Sequence, residues 1–232
     1  GFCVRKKYNN IPFDYIDGTN ISEGDSYSFN MGHDYNYDDL ADRTHVLVDI
    51  NNPKVFTGVS GDYYDTGITM LDIDRDFVIA VDYEFAAENT SGATLMECYE
   101  QNTSRGFKLS YTSNPTITWR NKSESLATGT NREMIVLRHV AGESVLHVYT
   151  SNLSGDSTGY ISLTSDVVNT TTFSLIFGCG KRTSTVFGNY AKGTVHWAKL
   201  WYADLGEQAC RNLASYIHED VSLKIAGFNR YY

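Results

Sequence analysis

Nine consecutive residues, FVIAVDYEF at Phe77–Phe85, place Phe77, Ile79, Val81, Tyr83 and Phe85 on one side of an extended chain. Val78, Ala80, Asp82 and Glu84 fall on the other side. Successive side chains of a strand point to opposite faces, whereas a helix would scatter those five large apolar groups around its axis. The segment therefore reads as a β-strand whose odd-numbered face belongs to a core.

The two-residue period recurs along the chain. GFKLSY turns Phe107, Leu109 and Tyr111 inward and Lys108 and Ser110 outward. REMIVLRHV and ESVLHVYT flank Ala141-Gly142 and read as a hairpin. Further strands are expected at THVLVDI, PKVFTGV, ATLMECYE, TITWR, FSLIFGC and GTVHWAKLWY. The 17 Tyr and 11 Phe suit pleated, half-buried surfaces. One helix is expected after Leu205. Asp204 would cap it with Glu207 completing a capping box, and Ala209, Leu213, Tyr216 and Ile217 would share a face.

With 232 residues, three Pro and no Gly/Ser-rich linker, the chain fits a single all-β domain over 1–232. It opens on Gly and closes on AGFNRYY, so it is expected to be a piece excised from a larger protein. Residues 1–45 are less regular, and GHDYNYDDLADR reads as an acidic loop. The 19 Lys and Arg against 28 Asp and Glu leave a net charge of −9 with no basic run. Nucleic acid is thus not an expected partner, because phosphate binding needs clustered cations. An anionic membrane surface is disfavoured for the same reason, and no stretch approaches the roughly 18 apolar residues of a membrane-spanning helix. Cys3, Cys98, Cys179 and Cys210 form no metal or redox motif and read as reduced, mostly buried thiols, although an even count permits two disulfides.

YYDTGITMLDIDRDFVIAVDYEF, the hairpin, FSLIFGCG and GTVHWAKLWYADLGEQACRNLASY stand in an order that resembles laminin-G-like domains of the concanavalin A-like lectin/glucanase superfamily. The resemblance covers residues 55–218 and is similar to modules in large proteins of Firmicutes and their phages. It implies a jelly-roll β-sandwich of two antiparallel sheets with one short C-terminal helix. It also implies a lectin, a glycosidase or a structural spacer, and fold alone does not choose among them.

The residues argue against catalysis. A retaining glucanase needs two carboxylates on one strand face, about 5–5.5 Å apart. Asp72, Asp74 and Asp76 precede the long strand, and after Asp82 and Glu84 the next position in phase is Ala86. The Asp72-x-Asp74-x-Asp76 spacing imitates a calcium loop but meets Phe77 at its sixth position and Tyr83 at its twelfth. No cofactor is expected from the residues; laminin-G-like domains often hold one calcium ion through loop aspartates at the sandwich rim, and the resemblance makes Asp62 and Asp65 the candidate ligands for such an ion. FSLIFGCGKRTST lacks the Gly-Lys-Ser/Thr of a phosphate loop and reads as a turn after a core strand. His139 and His147 show no metal spacing and are expected to be two exposed side chains rather than a pair facing each other across the hairpin.

The expected function is non-catalytic carbohydrate binding that attaches a phage particle or surface protein to bacterial or gut glycans. The expected location is the virion, the extracellular space or the cell surface. The alternatives are a structural or protein-interaction module and, last, a glycoside hydrolase. Sugar sites combine an aromatic platform with a few polar side chains. The expected ligand residues are Trp119, Arg120, Tyr111, Asp82, Glu84, Lys108 and Arg138, with Tyr99 and Glu97 as further candidates. Trp119 would be the exposed stacking surface; if it is core instead, the site is to be sought in the acidic loops around Asp38 and Asp62.

Overall fold

A computed structural model of the chain describes residues 44–69, 75–126, 132–150, 160–165, 173–181 and 187–214, with two short strands at 29–30 and 34–35. Cys3, Asp38, the GHDYNYDDLADR loop, Asp72, Asp74, Tyr216 and Ile217 lie outside these residues.

The strands run β1 Phe29–Asn30, β2 Asp34–Tyr35, β3 Thr44–Val48, β4 Lys54–Thr57, β5 Tyr64–Thr69, β6 Phe77–Phe85, β7 Thr94–Glu100, β8 Arg105–Tyr111 and β9 Pro115–Trp119. They continue with β10 Lys122–Ser125, β11 Glu133–His139, β12 Val145–Thr150, β13 Tyr160–Thr164, β14 Ser174–Phe177, β15 Gly180–Lys181, β16 Phe187–Gly188 and β17 Lys192–Trp201. A helix follows at Glu207–Ala214. Each of the ten strands expected from the sequence is present, β6 with the expected bounds.

Two antiparallel sheets make a jelly-roll sandwich. One runs β10-β9-β8-β7-β14-β5; the other runs β13-β12-β11-β6-β17-β3, with β4 also paired to β17. Phe77, Ile79, Val81, Tyr83 and Phe85 of β6 meet Met96, Cys98, Phe107, Leu109, Ile117 and Phe177 of the opposing sheet in one buried cluster. Phe77 and Phe107 lie 6.0 Å apart between ring centroids. Burial of this apolar area, at about 25 cal/mol per Å², is the main stabilising term.

Val78, Ala80 and Asp82 on the even face of β6 are also buried, which the alternation did not predict. Val78 and Ala80 join Met134, Val136, Tyr149, Trp197 and Trp201 in a second cluster beneath Ala209, Cys210, Leu213 and Ala214 of the helix. A bulge at His196 makes this possible: Val195 pairs with Tyr83 facing inward, but Trp197 pairs with Asp82 on the outer face. The helix also starts later than the expected cap. Its first hydrogen bond runs from Cys210 N to Gly206 O, and Asp204 Oδ1 instead accepts the Gly206 N–H at 2.8 Å.

At Gly178 (φ +89°) the chain turns sharply out of β14 under the Phe56 ring, which a β-carbon there would strike. This is the turn expected for the FGCG segment. Cys98, Cys179 and Cys210 are buried.

Candidate functional site

The seven expected ligand residues do not converge. Asp82, Glu84 and Arg138 lie on β6 and β11 of the seven-stranded sheet, whereas Lys108, Tyr111, Trp119 and Arg120 belong to or adjoin β8 and β9 of the other. Trp119 is only 2% exposed and packs in the inter-sheet core. Its indole Nε1 donates to Ser144 O at 3.1 Å. Its register partner on β8 is Phe107, which fixes it on the inward face.

Arg120, in the left-handed region at φ +54°, is also buried. Its guanidinium lies 4.3 Å from the Trp119 ring centroid, one amino group reaches Ser165 O at 3.4 Å, and burial pushes its pKa down. Tyr111 packs inward against Phe85, 5.5 Å between ring centroids.

Asp82, expected to point into solvent, is buried, and both its oxygens accept from Arg132, at 2.8 and 2.5 Å. Arg138 is likewise committed to Asp204. Glu84 does reach solvent, with His196 Nε2 at 3.4 Å. His139, expected to be exposed, is buried against Phe77 with its ring nitrogens near Arg75 O and Glu143 O.

The rim aspartates hold loops. Asp62 Oδ2 accepts from Thr57 N and Thr57 Oγ1, both at 2.6 Å. Asp65 accepts from Gly67 N and Ser174 Oγ, each at 2.9 Å. Among the described residues no three His, Cys, Asp or Glu come together to hold a metal ion, and a calcium site needs several clustered oxygens.

What the fold does assemble is the outer face of the six-stranded sheet. Antiparallel register carries one row across all six strands: Asp65, Ile176, Glu97, Lys108, Thr118 and Ser123. Beside it runs a hydroxyl row of Thr94, Ser110, Thr116 and Ser125. Their neighbours in sequence, Met96, Leu109, Ile117 and Phe177, supply the core, so these rows face away from it.

Thr118 Oγ1 and Ser123 Oγ are 2.9 Å apart. Lys108 Nζ sits 4.9 Å from the Tyr99 ring centroid, within cation–π range, and Tyr99 OH donates to Arg120 O at 3.0 Å. Glu97, Ser110 and Thr118 are each 5% exposed or less, and a β-carbon on Gly180 of β15 would sit 3.2 Å from both Glu97 Oε2 and Thr94 Oγ1, so that part of the face is covered; half-buried Lys108 and exposed Ser123 in the same row reach solvent. Tyr99, Glu97 and Lys108 were legible candidates. The hydroxyl rows were missed, although alternating Thr and Ser in PTITW and KSES signalled them.

This geometry defines a jelly-roll β-sandwich with a helix packed on one outer sheet face. No protein-family profile matches the chain. No curated protein sequence matches it either. Solved structures do share the fold. The carbohydrate-binding module CBM40 of the Ruminococcus gnavus IT-sialidase superposes with a TM-score of 0.50 at 14% identity, over 72% of this chain and 100% of that one. The same module bound to α2,3-sialyllactose gives 0.49 at 14% identity over 71% and 98%. The NanB sialidase of Streptococcus pneumoniae gives 0.52 at 12% identity, over 68% of this chain and 27% of that one.

Proposed function

We propose that the chain is a non-catalytic glycan-binding module whose ligand lies on the outer face of the six-stranded sheet. The observation that carries this reading is the register-aligned row in which half-buried Lys108 and exposed Ser123 flank Thr118, on the sheet that the helix does not pack. Sugar hydroxyls pair with Ser and Thr hydroxyls and with charged side chains, and Lys108 supplies a cation for an acidic sugar. A fold shared with carbohydrate-binding modules supports the reading. Non-catalysis is supported by Asp82: Arg132 holds both of its oxygens, so Asp82 and Glu84 do not make a free acid–base pair.

In this reading the single module sits outside the cell, presented by a phage particle or surface protein, and weak sites gain strength by avidity. One site would bind at roughly micromolar to sub-millimolar Kd, or about 4–8 kcal/mol.

The test is a glycan array followed by calorimetry, with 3′-sialyllactose as first probe. Lys108→Ala is expected to weaken binding about tenfold or more with the fold intact. An empty array, or a Lys108→Ala variant that binds as tightly as the parent, overturns the reading.

A second reading, a structural or protein-interaction module, draws on Val46 and Val55, 61% and 66% exposed on edge strands β3 and β4. Self-association together with an empty array would favour it. Release of reducing sugar from β-glucan, chitin or peptidoglycan would instead restore the hydrolase.

A further inference from the structure

Resting on the glycan reading, we infer that the sandwich carries a second saccharide contact at its rim, an aromatic platform of Tyr63 and Phe187 that takes the apolar face of a pyranose ring. The two rings stack 4.3 Å apart with an interplanar angle of 18°. Neither belongs to either buried cluster. Tyr63 is 36% exposed, and Val59 beside it in the same loop is 60% exposed.

The loop that presents them is braced. It crosses from β4 of one sheet to β5 of the other, and Asp62 ties its two ends by accepting from the amide and hydroxyl of Thr57. Asp62 N also donates to Val59 O at 3.1 Å. Gly58 and Gly61, at φ +79° and +91°, provide the turns that L side chains resist. A braced loop loses little conformational freedom when a ligand docks, so the exposed ring is preorganised.

Polar groups flank the platform. Ser60 Oγ lies 3.5 Å from Tyr190 OH, two hydroxyls that can pair with a sugar's equatorial edge. A stacked aromatic surface beside a pair of hydroxyls matches the apolar C–H face and hydroxyl rim of a pyranose.

The segment that carries Phe187 is anchored to the six-stranded sheet. Thr94 N donates to Asn189 O at 2.7 Å, and Tyr190 bridges Thr94 in parallel register. Thr94 is where the hydroxyl row through Ser110, Thr116 and Ser125 begins.

The test titrates the full chain and its Tyr63→Ala and Phe187→Leu variants with 3′-sialyllactose and with the best array hit of the parent, following Kd and melting temperature. Both variants are expected to weaken binding about fivefold to twentyfold, Tyr63→Phe is expected to restore it, and Tyr63→Ala is expected to melt within a few degrees of the parent. If the parent binds and both variants bind as tightly, the rim site is overturned and the glycan reading stands. If the parent binds no glycan at all, both fall. Phe187→Leu keeps apolar volume in the loop, so a loss of binding by that variant with unchanged melting identifies the ring rather than the fold.

Discussion

Arg138 grips Asp204 through two parallel hydrogen bonds, Nε to Oδ1 at 2.6 Å and Nη2 to Oδ2 at 2.7 Å. The pair joins the central strand β11 to the turn that launches the helix, and Asp204 Oδ1 also accepts the Gly206 amide. Both side chains are largely shielded, 15% and 9% exposed. Removing one partner strands a buried charge, at a cost of about 3 kcal/mol. Arg138→Ala should lower the urea midpoint accordingly while leaving glycan affinity unchanged. A variant that unfolds at the parent's midpoint would show that the clamp does not hold the helix.

Trp119 and Arg120 make opposite predictions although they are adjacent. Trp119→Ala empties a core site and loses the bond to Ser144 O, so it should cost about 3–5 kcal/mol in chemical denaturation. Arg120 occupies a left-handed turn position that Asn or Gly fills with less strain, and its Nε is buried without a partner. Arg120→Asn should therefore raise stability by about 1 kcal/mol. If Trp119→Ala keeps the parent melting temperature and abolishes glycan binding, Trp119 is a ligand platform after all.

Lys199 is 6% exposed over the Trp201 ring, and burial pushes its pKa down to about 8. In the unfolded chain a lysine titrates near 10.4. Between about pH 8 and 10.4 the unfolded state thus holds more protons, so this group makes stability rise with pH across that window. Lys199→Met should stabilise the fold at neutral pH by on the order of 2 kcal/mol and flatten that rise. Unfolding free energies of parent and variant from pH 7 to 10 check both signs.

Cys98, Cys179 and Cys210 are fully buried, and burial pushes the Cys210 thiol well above its usual range. Only the thiolate reacts rapidly. These three should remain unmodified by a disulfide-exchange reagent in the native protein and react together on addition of denaturant. Fast labelling of any one under native conditions would place it at the surface.

The strands were legible because each needs only its own side-chain alternation, as β6 and the β11–β12 hairpin illustrate. The candidate site was legible only in part. Lys108 could be placed outward from GFKLSY, and Glu97 and Tyr99 could be singled out as polar and aromatic candidates in a strand. No local signal placed Glu97 opposite Lys108, or Asp82 on the other sheet from both. Trp119 was misread because a strand-end aromatic looks the same from sequence whether its partner strand lies beneath it or not.

Side-chain alternation alone was enough for the two-residue period, hence the all-β class, and for the inward phase of Phe77, Ile79, Val81, Tyr83 and Phe85. Tertiary structure decided the rest. The bulge at His196 put Trp197 on the outer face, and the helix then buried the face of β6 that alternation left to solvent. Sheet order set Glu97 beside Lys108, and the loop between β4 and β5 carried Tyr63 to Phe187. Alternation acts between neighbours along the chain, whereas register, bulges and sheet stacking join residues tens of positions apart and are fixed by the packing of the whole core.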